Sequence, residues 1–270
     1  MKKTILLLIS VVALMVAGAV SSASAQSSLE EIKAKGKIVM GTNAEYPPFE
    51  WVKMKDGEQQ YVGIDIDIAQ LIADEIGVEL EISDQAFNSL IPAVQTGKID
   101  FAIAGMSYTE ERAEQVDFTT TYYATTNQFV VPADQEGQYT ELAHFADLKI
   151  GVLKASVQEQ LVMAELPNAN YTSMNKNGDL IEALKAGKVD AVLMDNIVVS
   201  DYIYNNEDLI VAVEGVELDN GSFDKAIALA KGNTELLDVI NTVIEEAVAS
   251  GQIDEIVQTN IELTRQVEKD

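Results

Sequence analysis

The sequence has no cysteine, a single histidine and, among its 18 basic residues, only two arginines, Arg112 and Arg265. Without cysteine there is no disulfide, no thiolate nucleophile, no thiolate metal site and no acceptor for lipidation behind a leader. With His144 alone, in ELAHFADL, a histidine-based nucleophile triad and a multi-histidine metal site are excluded as well. Any enzymatic chemistry is left to carboxylates, lysine or tyrosine. No metal or cofactor is expected.

Basic charge is also scarce. The 18 basic residues face 44 acidic ones, a formal net charge of -26, so nucleic acid and anionic lipid surfaces would repel the chain. After the first 25 residues no apolar run approaches the roughly 20 residues of a membrane span. Those first residues, MKKTILLLISVVALMVAGAVSSASA, join a lysine pair, a short apolar run and Ala-Ser-Ala. That pattern is a secretory signal peptide cleaved after Ala25. Its removal takes Lys2 and Lys3 with it and moves the net charge to -28. The remaining chain, roughly 240 residues, suits two lobes better than one, and a periplasmic location is expected.

What is present is a repeated unit. LIPAVQTGKIDFAIAG (90–105) returns as LIEALKAGKVDAVLMD (180–195). Without a gap, Leu90, Ile91, Ala93, Gly97, Lys98 and Asp100 become Leu180, Ile181, Ala183, Gly187, Lys188 and Asp190. The apolar spacing of LIPAV and LIEALKA is one face of a short helix, and each glycine stands where a left-handed residue would stop it. KIDFAIA and KVDAVLM then run apolar with little alternation, as strands covered on both faces do. Two helix–turn–strand units so spaced predict two α/β lobes.

Around these units the pattern continues. SLEEIKAKG reads as a helix, KIVMGTN as a strand and AEYPPFEWV as a loop, since Pro47 and Pro48 exclude helix and central sheet. YVGIDIDIAQLIADEIG predicts an amphipathic helix ending at Gly77, and VELEIS a strand. Thr109 is placed to cap a helix through EERAEQV. FTTTYYATTNQFVVP (118–132) is extended and predicts a crossing between lobes, the second beginning near Phe129. LKIGVL predicts a strand, KASVQEQLVMAEL and NIVVSDYIYNN helices, and the chain turns back near Gly221. AIALAKGNTELLDVINTVIEEAVASGQIDEIVQ then supplies a strand and two helices. Such alternation implies mostly parallel sheets wound by right-handed crossovers.

Ligands of open α/β sheets sit beyond the carboxyl ends of the strands, and both repeat units end there, at Gly105 and Asp195. Two lobes facing each other across these ends would form one cleft, closed by a hinge. Arg112, just after GMS, presents a fork that grips carboxylates bidentately, with Ser107 and nearby amides as further donors. Its spacing equally allows an ion pair with Glu110, Glu111 or Glu114, and Arg265 lies in a polar tail. Asp195 closes an apolar strand, where it either faces the cleft or caps the next helix. An arginine on one ridge and an acid on the other match a zwitterion. Tyr46 and Phe87, in first-lobe loops, can flank its side chain or simply pack.

GTNAEYPPFEW, YVGIDIDIAQLIADEIG, AFNSLIPAVQTGKIDFAIAGMSYTEERAEQVDFTTTYY and AGKVDAVLMD closely resemble the periplasmic amino-acid-binding proteins of ABC importers, the group with glutamine- and lysine/arginine/ornithine-binding members. The resemblance spans residues 30–257. It implies the two-lobed, type II periplasmic-binding-protein fold, with lobe 1 from 30–122 plus 227–270, lobe 2 from 127–222, and hinge crossings at 123–126 and 223–226. It further implies a monomer that binds a free polar L-amino acid, a basic one being among the candidates, and delivers it to a membrane permease. Arg112 would hold the α-carboxylate with amides around Ser107, Ser156 and Val157. Asp195 would hold the α-ammonium, helped by Gly105 beside Ala104. Asn43, Leu153 and Gln158 would surround the side chain between Tyr46 and Phe87. Relatives commonly carry Asp in place of Asn43, which weakens the case for a cationic ligand, although Glu45 is near enough in sequence to substitute. Two further functions stay open: an enzyme on this fold, such as a cyclohexadienyl or arogenate dehydratase, and a soluble sensory module.

Overall fold

The structure, a computed structural model, describes residues 27–55, 57–206, 209–211 and 223–266, the strand at 209–211 by its backbone alone. The leader at 1–25 and the turn near Gly221 lie outside the described residues. Among the described residues, no helix is long and apolar enough to cross a membrane.

The repeated units are built alike. Helices Leu90–Gln95 and Asn177–Lys185 are each followed by glycine in the left-handed region, Gly97 at φ 67° and Gly187 at φ 63°. That conformation costs glycine nothing and other residues about 1 kcal/mol or more. Lys98 and Lys188 then donate their amides back to the carbonyls of Ala93 and Ala183 at 3.0 and 2.9 Å. The aspartate two positions on acts the same way twice. Asp100 accepts the amide of Val39, and Asp190 the amide of Lys149, both at 2.8 Å. Gly-Lys-x-Asp thus ends a helix and pins the following strand to its neighbour.

Each unit feeds a five-stranded sheet. The first runs Glu79–Asp84, Lys37–Thr42, Phe101–Ala102, Ala228–Leu229, Asp117–Phe118; the second runs Asn170–Met174, Lys149–Leu153, Ala191–Asp195, Asn127–Pro132, Leu209–Val211. In each, one strand opposes the rest: Ala228–Leu229 in the first and Asn127–Pro132 in the second. Both are the strands by which the chain enters from the other sheet. A segment crossing the cleft arrives at the carboxyl ends of the parallel strands, so it can join only by running backwards. The predicted winding is therefore parallel except where the chain changes lobes.

Two expectations are corrected. AEYPPFEWV is not all loop: Glu45–Tyr46, Glu50–Lys55 and Glu58–Val62 form a three-stranded antiparallel sheet. The proline pair occupies only the turn, and the chain after it pairs freely. Tyr61 and Val62 belong to that sheet, and the helix starts at Ile64, running to Ile76 before Gly77. Arg265, expected in a polar tail, is held in a helix. It closes helix Gln252–Arg265, and its guanidinium lies 5.3 Å from the ring centre of Tyr204, on helix Asn196–Asn205.

Burial follows the periodicity. Ile64, Ile68 and Ile72, on one face of their helix, are fully covered, as are Ile38 and Met40 of the adjoining strand. Burying such a side chain contributes about 1.5–3 kcal/mol, which fixes the rims that carry the site.

Candidate functional site

Twelve residues were expected at the cleft from sequence, and all twelve line one cavity: Asn43, Tyr46, Phe87, Ala104, Gly105, Ser107, Arg112, Leu153, Ser156, Val157, Gln158 and Asp195. Asn43 follows strand Lys37–Thr42, Ala104 to Ser107 follow Phe101–Ala102, and Leu153 and Asp195 end strands Lys149–Leu153 and Ala191–Asp195. The carboxyl ends of both sheets therefore supply the walls, as open α/β sheets require. Three further residues line the cavity that sequence reasoning missed: Glu50, Asn177 and Lys225.

Arg112 enters from the short helix Glu110–Ala113, whose cap is Thr109; the Thr109 hydroxyl oxygen accepts the Arg112 amide at 3.1 Å. The side chain is buried and makes no ion pair among the described residues. Its guanidinium donates to the carbonyls of Ser107 at 2.5 Å and Ala155 at 2.9 Å, and lies 5.4 Å from the Phe87 ring centre. The alternative of a surface pair with Glu110, Glu111 or Glu114 is thereby set aside. Phe87 supports the guanidinium from below, a favourable cation–π geometry. Burial pulls the Arg112 pKa down to about 10, against the field of Glu111 and Asp195, so the charge persists at neutral pH. Ala155 itself stands at φ 62°, which turns its carbonyl toward Arg112 while its amide donates to Glu159 at 2.6 Å.

Asp195 precedes helix Asn196–Asn205 but makes no side-chain cap there. Its carboxylate instead accepts four hydrogen bonds in the cleft: from Tyr46 at 2.7 Å, Thr125 at 2.6 Å, and Lys225 at 2.9 Å to each oxygen. Lys225 also donates to the Ser107 hydroxyl at 3.0 Å, and its side chain is 1% exposed. The lysine sits on the returning crossing, bridged by its backbone between Ser107 and Tyr123. Nothing in FDKAIALAKG distinguishes it locally. The signal available was positional, because a chain crossing the cleft must place some residue at the strand ends.

Glu50 and Asp65 form a second, deeper group. Their carboxyls lie within hydrogen-bond reach of each other, and both residues are buried. Asp65 accepts the Gly105 amide at 2.6 Å and the Tyr122 hydroxyl at 2.8 Å. Burial raises its pKa to about 6, against those donors, and burial followed by the neighbouring Asp65 charge raises Glu50 well above the carboxylate range. Gly105 fits here for a steric reason too: at φ 52° an added Cβ would come within 3.1 Å of the Tyr46 ring.

The remaining wall is neutral. Asn43 donates to the Gln85 carbonyl at 3.2 Å, Gln158 donates to Asn127 at 2.8 Å, and Ser156 donates to the Leu153 carbonyl at 2.7 Å while capping helix Val157–Glu165. Asn43 Oδ1, Glu50 Oε2 and Asn177 Nδ2 are buried without a partner. Glu45, considered as a substitute acid, is paired with Lys176 outside the cavity.

The profile of the bacterial extracellular solute-binding proteins, family 3, matches residues 38–262. The arginine-binding extracellular protein ArtP of Bacillus subtilis is 34% identical over 263 residues, 95% of this chain and 96% of the relative. An amino acid ABC transporter substrate-binding protein from Streptococcus pneumoniae, solved with L-arginine, superposes with a TM-score of 0.84 at 39% identity, covering 88% of this chain and 98% of that one. An ancestral amino-acid-binding protein described as a precursor of cyclohexadienyl dehydratase superposes at 0.78 and 29% identity, covering 87% and 100%.

Proposed function

The chain belongs to the bacterial extracellular solute-binding proteins, family 3, and we propose that it is the exported receptor of an amino-acid importer, which captures a polar L-amino acid between two lobes and hands it to an ABC permease. In this reading the leader at 1–25 is cleaved, and the monomer hinges at 123–126 and 223–226 between lobe 1 (30–122 plus 227–270) and lobe 2 (127–222). Arg112 binds the α-carboxylate and Asp195 the α-ammonium.

The observation that carries the reading is Arg112: a buried cation whose hydrogen bonds go to carbonyls, opposite the acid of the other sheet in one cavity. A desolvated guanidinium without a carboxylate is costly, and a ligand carboxylate relieves it. Titration calorimetry of Arg112→Ala with a panel of amino acids tests this. A loss of about 2–5 kcal/mol, or 30-fold to a few thousand-fold, is expected for one member of a buried charge pair. Undiminished binding would refute it.

The enzyme reading has one supporting observation, the buried Glu50 at the cavity wall, whose pKa is raised by burial and by the neighbouring Asp65, a shift in the direction a general acid needs. Turnover of prephenate or arogenate by the purified protein would establish it, and loss of that turnover in Glu50→Gln would assign the acid.

A further inference from the structure

An ionised carboxylate has about four lone-pair positions. At Asp195 all are taken, by Tyr46, Thr125 and two contacts of Lys225. A ligand ammonium can reach this acid only if a resident donor leaves. Tyr46 and Thr125 are neutral and can share. Lys225 cannot, because two ammonium groups about 4 Å apart repel by about 4 kcal/mol at the dielectric of a protein surface. We infer that Lys225 is a tethered competitor for the ammonium position at Asp195, and that it makes the cleft select against amino acids with cationic side chains.

The surroundings support both halves. Lys225 has somewhere to go: its Nζ is 5.8 Å from the Phe49 ring centre, and Glu50, with a buried unpartnered Oε2, shares the cavity wall with it. The second half follows from charge. The ionisable groups on the wall are Arg112, Lys225, Asp195 and Glu50, with Tyr46; Asp65 stands behind Glu50. Two cations, Arg112 and Lys225, stand on this wall, Asp195 is already held by Lys225, and the wall atoms without a partner are Asn43 Oδ1, Asn177 Nδ2 and Glu50 Oε2, the last within the same wall as Lys225. A guanidinium would add a third cation beside Arg112 and Lys225, whereas a carboxamide would find an acceptor at Asn43 and a donor at Asn177.

The inference rests on the amino-acid reading above, and the test separates the two. L-glutamine and L-arginine are titrated into the wild type, Lys225→Met and Lys225→Gln, with circular dichroism confirming the fold. The wild type is expected to bind glutamine more tightly than arginine. Lys225→Met should bind both at least about tenfold more tightly, with the larger gain for arginine. If the Met variant does not fold, Lys225→Gln carries the test with the same sign. Weaker or unchanged binding by the folded variants overturns the inference, as does a wild-type preference for arginine. Failure of every protein to bind any member of the amino-acid panel overturns the receptor reading itself.

Discussion

The Tyr46 hydroxyl donates a 2.7 Å hydrogen bond to Asp195 Oδ2 across the cleft, joining residues 149 positions apart. Both side chains are buried, so neither can replace the bond with water. Tyr46→Phe removes the donor and leaves the carboxylate one bond short. A cost of about 1.5–3 kcal/mol is expected for a hydrogen bond to a charged group, or a melting temperature lower by roughly 3–10 °C for a chain of this size. Differential scanning calorimetry reads it; an unchanged transition would mean that the bond contributes nothing.

Arg112→Lys keeps the charge and loses the fork. A lysine cannot reach the Ser107 and Ala155 carbonyls and a bidentate carboxylate together. Amino-acid affinity should fall by about tenfold or more while the fold persists. Calorimetric titration beside the Arg112→Ala variant separates charge from geometry: equal losses in the two would show that charge alone has no value at this site.

The Glu50–Asp65 pair sets a pH dependence of unusual sign. Both pKa values are raised by burial, Asp65 to about 6, so the folded protein keeps a proton that the unfolded chain releases. Stability from this pair is fully present below the ordinary carboxyl range near pH 4 and is lost as pH rises through about 6, at up to about 1.4 kcal/mol per pH unit for one proton. Glu50→Gln should leave stability near pH 5 close to wild type and raise it at pH 8, because an amide can donate to Asp65 without titrating. Urea midpoints at the two pH values check this, and parallel profiles for both proteins would sink the assignment.

Gly105→Ala tests the close approach beneath Tyr46. The added methyl lies 3.1 Å from the ring in a left-handed conformation, a cost of about 1–2 kcal/mol before any clash. Lower stability and weaker ligand binding are expected together, since the shifted ring carries the Asp195 contact. A variant with wild-type affinity would show that the ring has room to move.

Much of this molecule is local. Gly97 and Gly187 stop helices, Thr109 caps, and Gly77 ends the helix of Ile64, Ile68 and Ile72; each depends on neighbours within a few residues or on periodicity. Arg112, Asp195, Gly105 and Ser107 were legible because strand ends are where α/β folds bind, whereas Asn43, Leu153, Ser156, Val157 and Gln158 came only from the resemblance to the periplasmic amino-acid-binding proteins. The hairpin after Pro48 was not legible, because a proline pair reports a turn but not what pairs beyond it.

Sequence by itself determined the class of the fold, the two halves of the site and the exclusion of thiol and multi-histidine chemistry, because composition and short-range spacing carry that information. Tertiary structure alone decided how charge is distributed in the cleft. Lys225 meets Asp195 from 30 positions away, Glu50 meets Asp65 across a hairpin, and Phe87 slides under Arg112. Such pairings arise where segments remote in the chain converge, and the strength of a charge depends on burial that no window of residues contains.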